Sequence, residues 1–126
     1  MPVKQISVFL ENTKGRLAEV TRILGENGIN LRAVSLADTK DFGILRMVVD
    51  DSEKALAVLE RERFTAKVNE VLAVEVDDKP GGLARILEVF SLNNVNIEYI
   101  YSSLENNKSK AVIIFRVEDT KQGVRI

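Results

Sequence analysis

The sequence has 126 residues, with 18 basic against 19 acidic and a net charge of −1; 45% are hydrophobic and 29% charged. This ordinary globular balance offers nucleic acid no dense basic footprint. With no cysteine and no histidine, disulfides, thiol catalysis and cysteine metal sites are excluded, and the commonest general base and metal ligand are missing.

Residues 5–11 alternate, with Ile6, Val8 and Leu10 on one face, which is the period of a half-buried strand. Residues 15–27 place Leu17, Val20, Ile23 and Leu24 at helical spacing, and Asn27-Gly28 is a helix stop because both residues tolerate a left-handed cap. Strands are expected at 29–37 and 43–50, joined by the polar hairpin 38–42. Ser52 is placed to cap a second helix with Ala55, Leu56 and Leu59 on its apolar face, and a fourth strand lies near 64–68. The order βαββαβ is the ferredoxin-like arrangement of the α+β class, an antiparallel sheet with both helices on one face. The pattern then restarts: a strand at 70–76, a helix at 82–93 carrying Leu83, Ile86, Leu87 and Phe90, and strands at 95–104 and 110–117.

After Thr120 the pattern breaks. Val49-Asp50-Asp51-Ser52 leads into a helix, but Val117-Glu118-Asp119-Thr120 is followed at once by Lys121 to Ile126, which reads as a turn and a strand. Either the second unit lacks its second helix, or residues are absent between Thr120 and Lys121. The second reading is preferred, because a sheet short of one helix leaves apolar strand face exposed.

The restart is an internal repeat. Gly15, Leu17, Ala18, Asn27 and Asn30 recur as Gly81, Leu83, Ala84, Asn93 and Asn96, at a constant offset of 66 (15 to 81, 30 to 96). Two domains follow, 1–69 and 70–126. Units this small have marginal cores, so they should lean on one another or on a second copy of the chain, and a homodimer is expected. With no Gly/Ser/Pro-rich linker, the units are expected to be rigidly apposed.

The repeated motif has a chemistry. The Gly15 and Gly81 loops bring bare backbone to a helix start, where free N–H groups favour a carboxylate. Asn12 and Asp78, three residues earlier, carry side-chain oxygens that accept from an ammonium group, and the amides of Asn30 and Asn96 both donate and accept. Carboxylate and ammonium together describe a free α-amino acid. Each residue also has a purely structural use: the glycines in a tight turn, Asn12 and Asp78 as helix caps, Asn30 and Asn96 as turn residues.

The string Asp78-Lys79-Pro80-Gly81-Gly82-Leu83-Ala84 through Asn93-Asn94-Val95-Asn96-Ile97 resembles the signature of ACT domains, small regulatory modules that bind amino acids. Asn12-Thr13-Lys14-Gly15-Arg16-Leu17 and Gly28-Ile29-Asn30-Leu31 resemble it too, and nearly the whole chain is covered. The chain is similar to short bacterial proteins made only of two tandem ACT domains. The resemblance implies the βαββαβ fold, side-by-side association through sheets, and amino-acid effectors at interfaces between domains. It implies no catalysis, no cofactor and no metal. It implies one site of Asn12, Gly15, Arg16, Leu17 and Asn30, and another of Asp78, Gly81, Gly82, Leu83 and Asn96. Lys14 stands where the family usually has proline, and Asp78 where serine sensors have asparagine. The histidine of serine sensors is absent, so serine is not implied.

Three other classes compete with this reading. A regulatory subunit acting on a partner enzyme of amino-acid metabolism is the main alternative, although the extra C-terminal domain of the acetolactate synthase small subunits has no counterpart here. Tyr99 and Tyr101 would suit an RNA-binding sheet, but their surroundings carry Glu98 and Glu105 and no basic excess. An acylphosphatase-like enzyme would need an arginine-bearing phosphate loop. The expected protein is cytoplasmic, with no nucleic-acid or membrane partner: no apolar run approaches the roughly 20 residues of a bilayer span, and Met1 to Gln5 lack a signal-peptide core.

Overall fold

Alternating apolar residues make β1 (Pro2–Glu11), β2 (Leu31–Asp38) and β3 (Phe42–Val49), and helical spacing makes α1 (Arg16–Glu26) and α2 (Ser52–Arg61). Then follow β4 (Thr65–Asp77), α3 (Gly82–Leu92), β5 (Ile97–Asn107) and β6 (Lys110–Val117). The structure is a computed structural model that describes residues 2–11, 13–38, 42–107 and 109–118. The chain divides into two compact units, Lys4–Asn69 and Met1–Val3 with Glu70–Ile126.

The first unit is βαββαβ. Its strand β3 pairs antiparallel with both β1 and β2, with Val8 opposite Leu45 and Val34 opposite Met47. The first part of β4 lies beside β1, where Gln5 Nε2 donates to Asn69 Oδ1 at 3.2 Å and Lys67 stands over the Phe9 ring. Ile6, Val8 and Leu10 of β1 share a core with Leu45, Met47 and Val49 of β3. Val20, Ile23 and Leu24 of α1 and Ala55, Val58 and Leu59 of α2 complete it, which places both helices on one face. Asp51, not Ser52, caps α2: its carboxylate accepts from the Lys54 N–H at 3.1 Å, and Ser52 is already helical.

In the second unit β6 lies between the second part of β4 and β5, with Leu72 and Ile100 both opposite Phe115. Leu72, Phe90, Val95, Phe115 and Val117 form its core, with Leu83, Ile86 and Leu87 half-buried against it. Phe90 and Phe115 pack at 5.2 Å in a tilted geometry, the arrangement that ring quadrupoles favour. Tyr99 and Tyr101 pair with Arg116 and Ile114 and so face away from Phe115, their rings 6.4 Å apart. The two strands expected at 64–68 and 70–76 are one 13-residue strand, β4. The junction of Thr120 with Lys121 lies outside the described residues. Among the described residues no helix is long and apolar enough to cross a membrane.

Candidate functional site

The chain must reverse between Glu11 and Arg16, and it does so through Gly15 at φ 87°. Gly81 repeats the turn at φ 84°. Only glycine adopts this left-handed conformation without strain. The hydrogen bonds repeat as well. Thr13 N–H donates to Glu11 O at 2.8 Å, Arg16 N–H to Thr13 O at 3.3 Å and Glu19 N–H to Gly15 O at 3.0 Å. In the second unit Lys79 N–H donates to Asp77 O at 2.9 Å, Gly82 N–H to Lys79 O at 3.0 Å and Arg85 N–H to Gly81 O at 3.1 Å. Neither helix has a side-chain cap. The N–H groups of Leu17 and Ala18, and of Leu83 and Ala84, have no partner among the described residues. Free donors at the positive end of a helix dipole suit an anion.

The far ends of α1 and α3 also match. Asn27 Nδ2 donates to Ile23 O and Asn93 Nδ2 to Val89 O, each at 2.8 Å. These amides close the last helical turn. Asn30 and Asn96 follow them. Asn30 N–H donates to Asp50 Oδ1 and Asp50 N–H returns a bond to Asn30 O, each at 3.1 Å. Glu118 N–H donates to Asn96 O at 3.1 Å. Sequence reasoning placed Asn30 with the Gly15 loop and Asn96 with the Gly81 loop. Within one unit they stand at opposite ends of an 11-residue helix, about 16 Å of rise. A single unit therefore brings Gly15, Arg16 and Leu17 together but not Asn30, and Gly81, Gly82 and Leu83 together but not Asn96. Asp78 joins the Gly81 loop, and Asn12 lies outside the described residues.

A cavity of about 100 Å³ opens at the first loop, lined by Leu10, Glu11, Thr13, Arg16, Leu17 and Leu36 among others. Arg16 is held on two sides: Nη1 pairs with Glu19 Oε2 at 3.0 Å, and the guanidinium lies 4.4 Å over the Phe64 ring. Its Nε is buried with no partner. Glu11 and Leu36 were missed by sequence reasoning. Glu11 has a signal, since the same offset puts Asp77, another carboxylate, at the end of the matching strand. The β2 position of Leu36 has none.

The second loop is built differently. The Asp77 carboxylate accepts a short bond from Lys110 Nζ, with Lys79 Nζ 4.0 Å away. That bond and the charge of Lys110 hold the Asp77 pKa below the usual 3.8. Asp78 N–H donates to Ser109 O at 2.8 Å. A second cavity, about 330 Å³, is lined by Leu87, Ser91, Asn94, Val95, Asn96 and Ile97, at the end of α3 remote from Gly81. Among the described residues no cluster of three or more metal-ligating carboxylates occurs.

The turn that repeats at the heads of α1 and α3 accords with comparison with known proteins. A family model described as an ACT domain pair matches residues 1–126. The crystal structure of protein BT0572 from Bacteroides thetaiotaomicron is 38% identical with a TM-score of 0.92, over 99% of this chain and 85% of that one. The regulatory subunit of aspartate kinase from Thermus thermophilus, at 18% identity and a TM-score of 0.70 over 97% of this chain and 88% of that one, shares the fold. So does its counterpart from Thermus flavus, at 20% identity and a TM-score of 0.66 over the same shares. No curated protein matches. Two glycine-led βα turns in one register, and a family match over the whole length, have one reading: the chain belongs to the ACT domain pair family.

Proposed function

We propose that this chain is a non-catalytic regulatory sensor, with ACT domains at 1–69 and 70–126, that binds a free amino acid in the cytoplasm. The observation that carries the reading is the pair of open N–H groups behind each left-handed glycine, Leu17 and Ala18 behind Gly15 and Leu83 and Ala84 behind Gly81. They suit an α-carboxylate at the Gly15 or the Gly81 loop. Asn30 and Asn96 lie at the other end of their own helices. They complete the polar ring only where one domain meets another, so the ligand sits at an inter-domain interface. Tyr99 and Tyr101, side by side and half-buried on the sheet face opposite Phe115, suit packing against a second copy in a homodimer.

The alternative keeps the regulation and drops the ligand: a subunit acting on a partner enzyme of amino-acid metabolism, the role for which the Thermus neighbours are named. A thermal-shift screen of the twenty amino acids separates the two. A ligand at a hundred times its dissociation constant stabilises the folded state by about 2.7 kcal/mol. One amino acid should raise the melting temperature; if none does at millimolar concentration, the partner reading takes over.

A further inference from the structure

We propose that the open flank of α3 is a docking groove for an amphipathic helix of a partner protein, one that carries an aliphatic stripe of the Ala55, Val58, Leu59 kind with a basic residue towards each end. The proposal goes beyond the amino-acid reading and does not depend on it.

The internal repeat supplies the comparison. In the first unit α2 packs beside α1, and Val8, Val20, Ile23 and Leu45 are all buried in the core that the two helices share with the sheet. The same places in the second unit are Val74, Ile86, Val89 and Ile113, the last standing opposite Val74 as Leu45 stands opposite Val8. All four are only half-buried. The matched positions Leu72, Phe90 and Phe115 stay as closed as Ile6, Leu24 and Met47, so the loss of cover is local. Among the described residues α3 is the one helix of the second unit. The strip it leaves open matches the strip that α2 helps to close in the first.

The outer flank of α3 has changed in the same sense. In α1, Arg22 pairs with Glu26 at 3.1 Å. The matching residues of α3 are Glu88 and Leu92, so the ion pair is gone and an apolar side chain stands in place of a charge. Leu92 is 84% exposed and belongs to no core cluster; a docked helix would take it out of water. Charge sets the ends of the occupant. The C-terminal end of a helix is the negative pole of its dipole, and neither α1 nor α3 has a basic residue in its own last turn. In the first unit α2 brings them: Arg61 Nη2 donates to Asn27 Oδ1 at 3.4 Å, and a Cβ on Gly28 would meet Lys54 Nζ at 4.0 Å. A helix on α3 should bring a lysine or arginine to the same pole. A second copy of this chain has no such helix to lend, because Ala55, Val58 and Leu59 are buried in its own first unit.

The test is methyl NMR on the full chain, titrated with a synthetic peptide of residues 50–63, which carries α2 and its cap Asp51. The expected result is saturable shifts of the Val74, Ile86, Val89, Leu92 and Ile113 methyls, with Val20 and Ile23 unmoved. A peptide carrying both Val58→Asp and Leu59→Asp should be inert. One carrying Lys54→Glu and Arg61→Glu should bind about threefold more weakly. In the chain, Leu92→Glu changes an exposed side chain and leaves the fold intact; it should weaken binding about tenfold. No saturable shift at millimolar peptide, equal shifts with the double-aspartate peptide, unchanged binding by Leu92→Glu, or shifts confined to the first unit would overturn the inference. So would Ile86 and Val89 resonances that move with chain concentration before any peptide is added, which would give the face to a second copy. Each of these outcomes leaves the thermal-shift test of amino-acid binding untouched.

Discussion

At the scale of the residue, the two glycines that open α3 carry different constraints. Gly81 and its counterpart Gly15 need a positive φ, but a Cβ there meets nothing within 4 Å. Gly15→Ala should therefore cost only the left-handed penalty, about 1–2 kcal/mol. Gly82 faces backbone at 1.9 Å, and its substitution forces the loop off β4. Gly82→Ala should lose stability at the upper end of the overpacking range, about 3 kcal/mol, and urea unfolding should show a midpoint well below that of Gly15→Ala. Equal midpoints would mean that the second loop opens freely. The sequence made Gly15 and Gly81 legible because a left-handed turn selects glycine. It did not reveal that Gly82 is a contact glycine, because that depends on how far the loop folds back over Asp77. Asn30 and Asn96 were legible as a repeated pair, but not as residues standing a full helix away from their own glycine loops.

At the scale of the element, the strands and helices were readable wherever one face is buried. Ile6, Val8 and Leu10 alternate in sequence and are buried together, and α1 stops at Asn27 because its amide closes the helix. The cap of α2 was misplaced by one residue: Asp51 and Ser52 are both good caps by type, and only geometry selects Asp51. Asp51→Ala should cost about 1 kcal/mol, and Leu59→Ala, which empties a fully buried position between α2 and the sheet, about 2–5 kcal/mol. Thermal denaturation checks the ranking. The Asp77–Lys110 pair between β4 and β6 gives a pH signature. Lys110 lowers the Asp77 pKa below 3.8, and Asp77 raises the Lys110 pKa above 10.5. The carboxylate's contribution is complete above 3.8 and is lost as pH falls through its lowered value; the amine's is complete below 10.5 and is lost as pH rises through its raised value. The pair is exposed and screened by salt, so the effect is small. Asp77→Asn should lower the urea midpoint slightly at neutral pH and leave it unchanged in acid where the parent carboxyl is protonated. A deficit that persists in acid would assign the loss to packing.

At the scale of the whole molecule, a repeated fold presents two copies of one turn in different chemical settings. The first has a cavity lined by Glu11 and Arg16 among others, and in the second Lys110 pairs with Asp77 and a Cβ on Gly82 would lie 1.9 Å from Asp77 O. Repetition was plain in the sequence, as were the departures at Lys14 and Asp78; the Lys110–Asp77 pair was not, since its members meet only across the folded sheet. The most direct measurement of the central claim is a calorimetric titration of the full chain with the amino acid picked out by the thermal screen. Saturable binding, weakened about tenfold or more in a variant carrying both Asn30→Ala and Asn96→Ala, is the predicted result. The absence of binding heat from all twenty amino acids, by a chain that is folded and melts cooperatively, would contradict it.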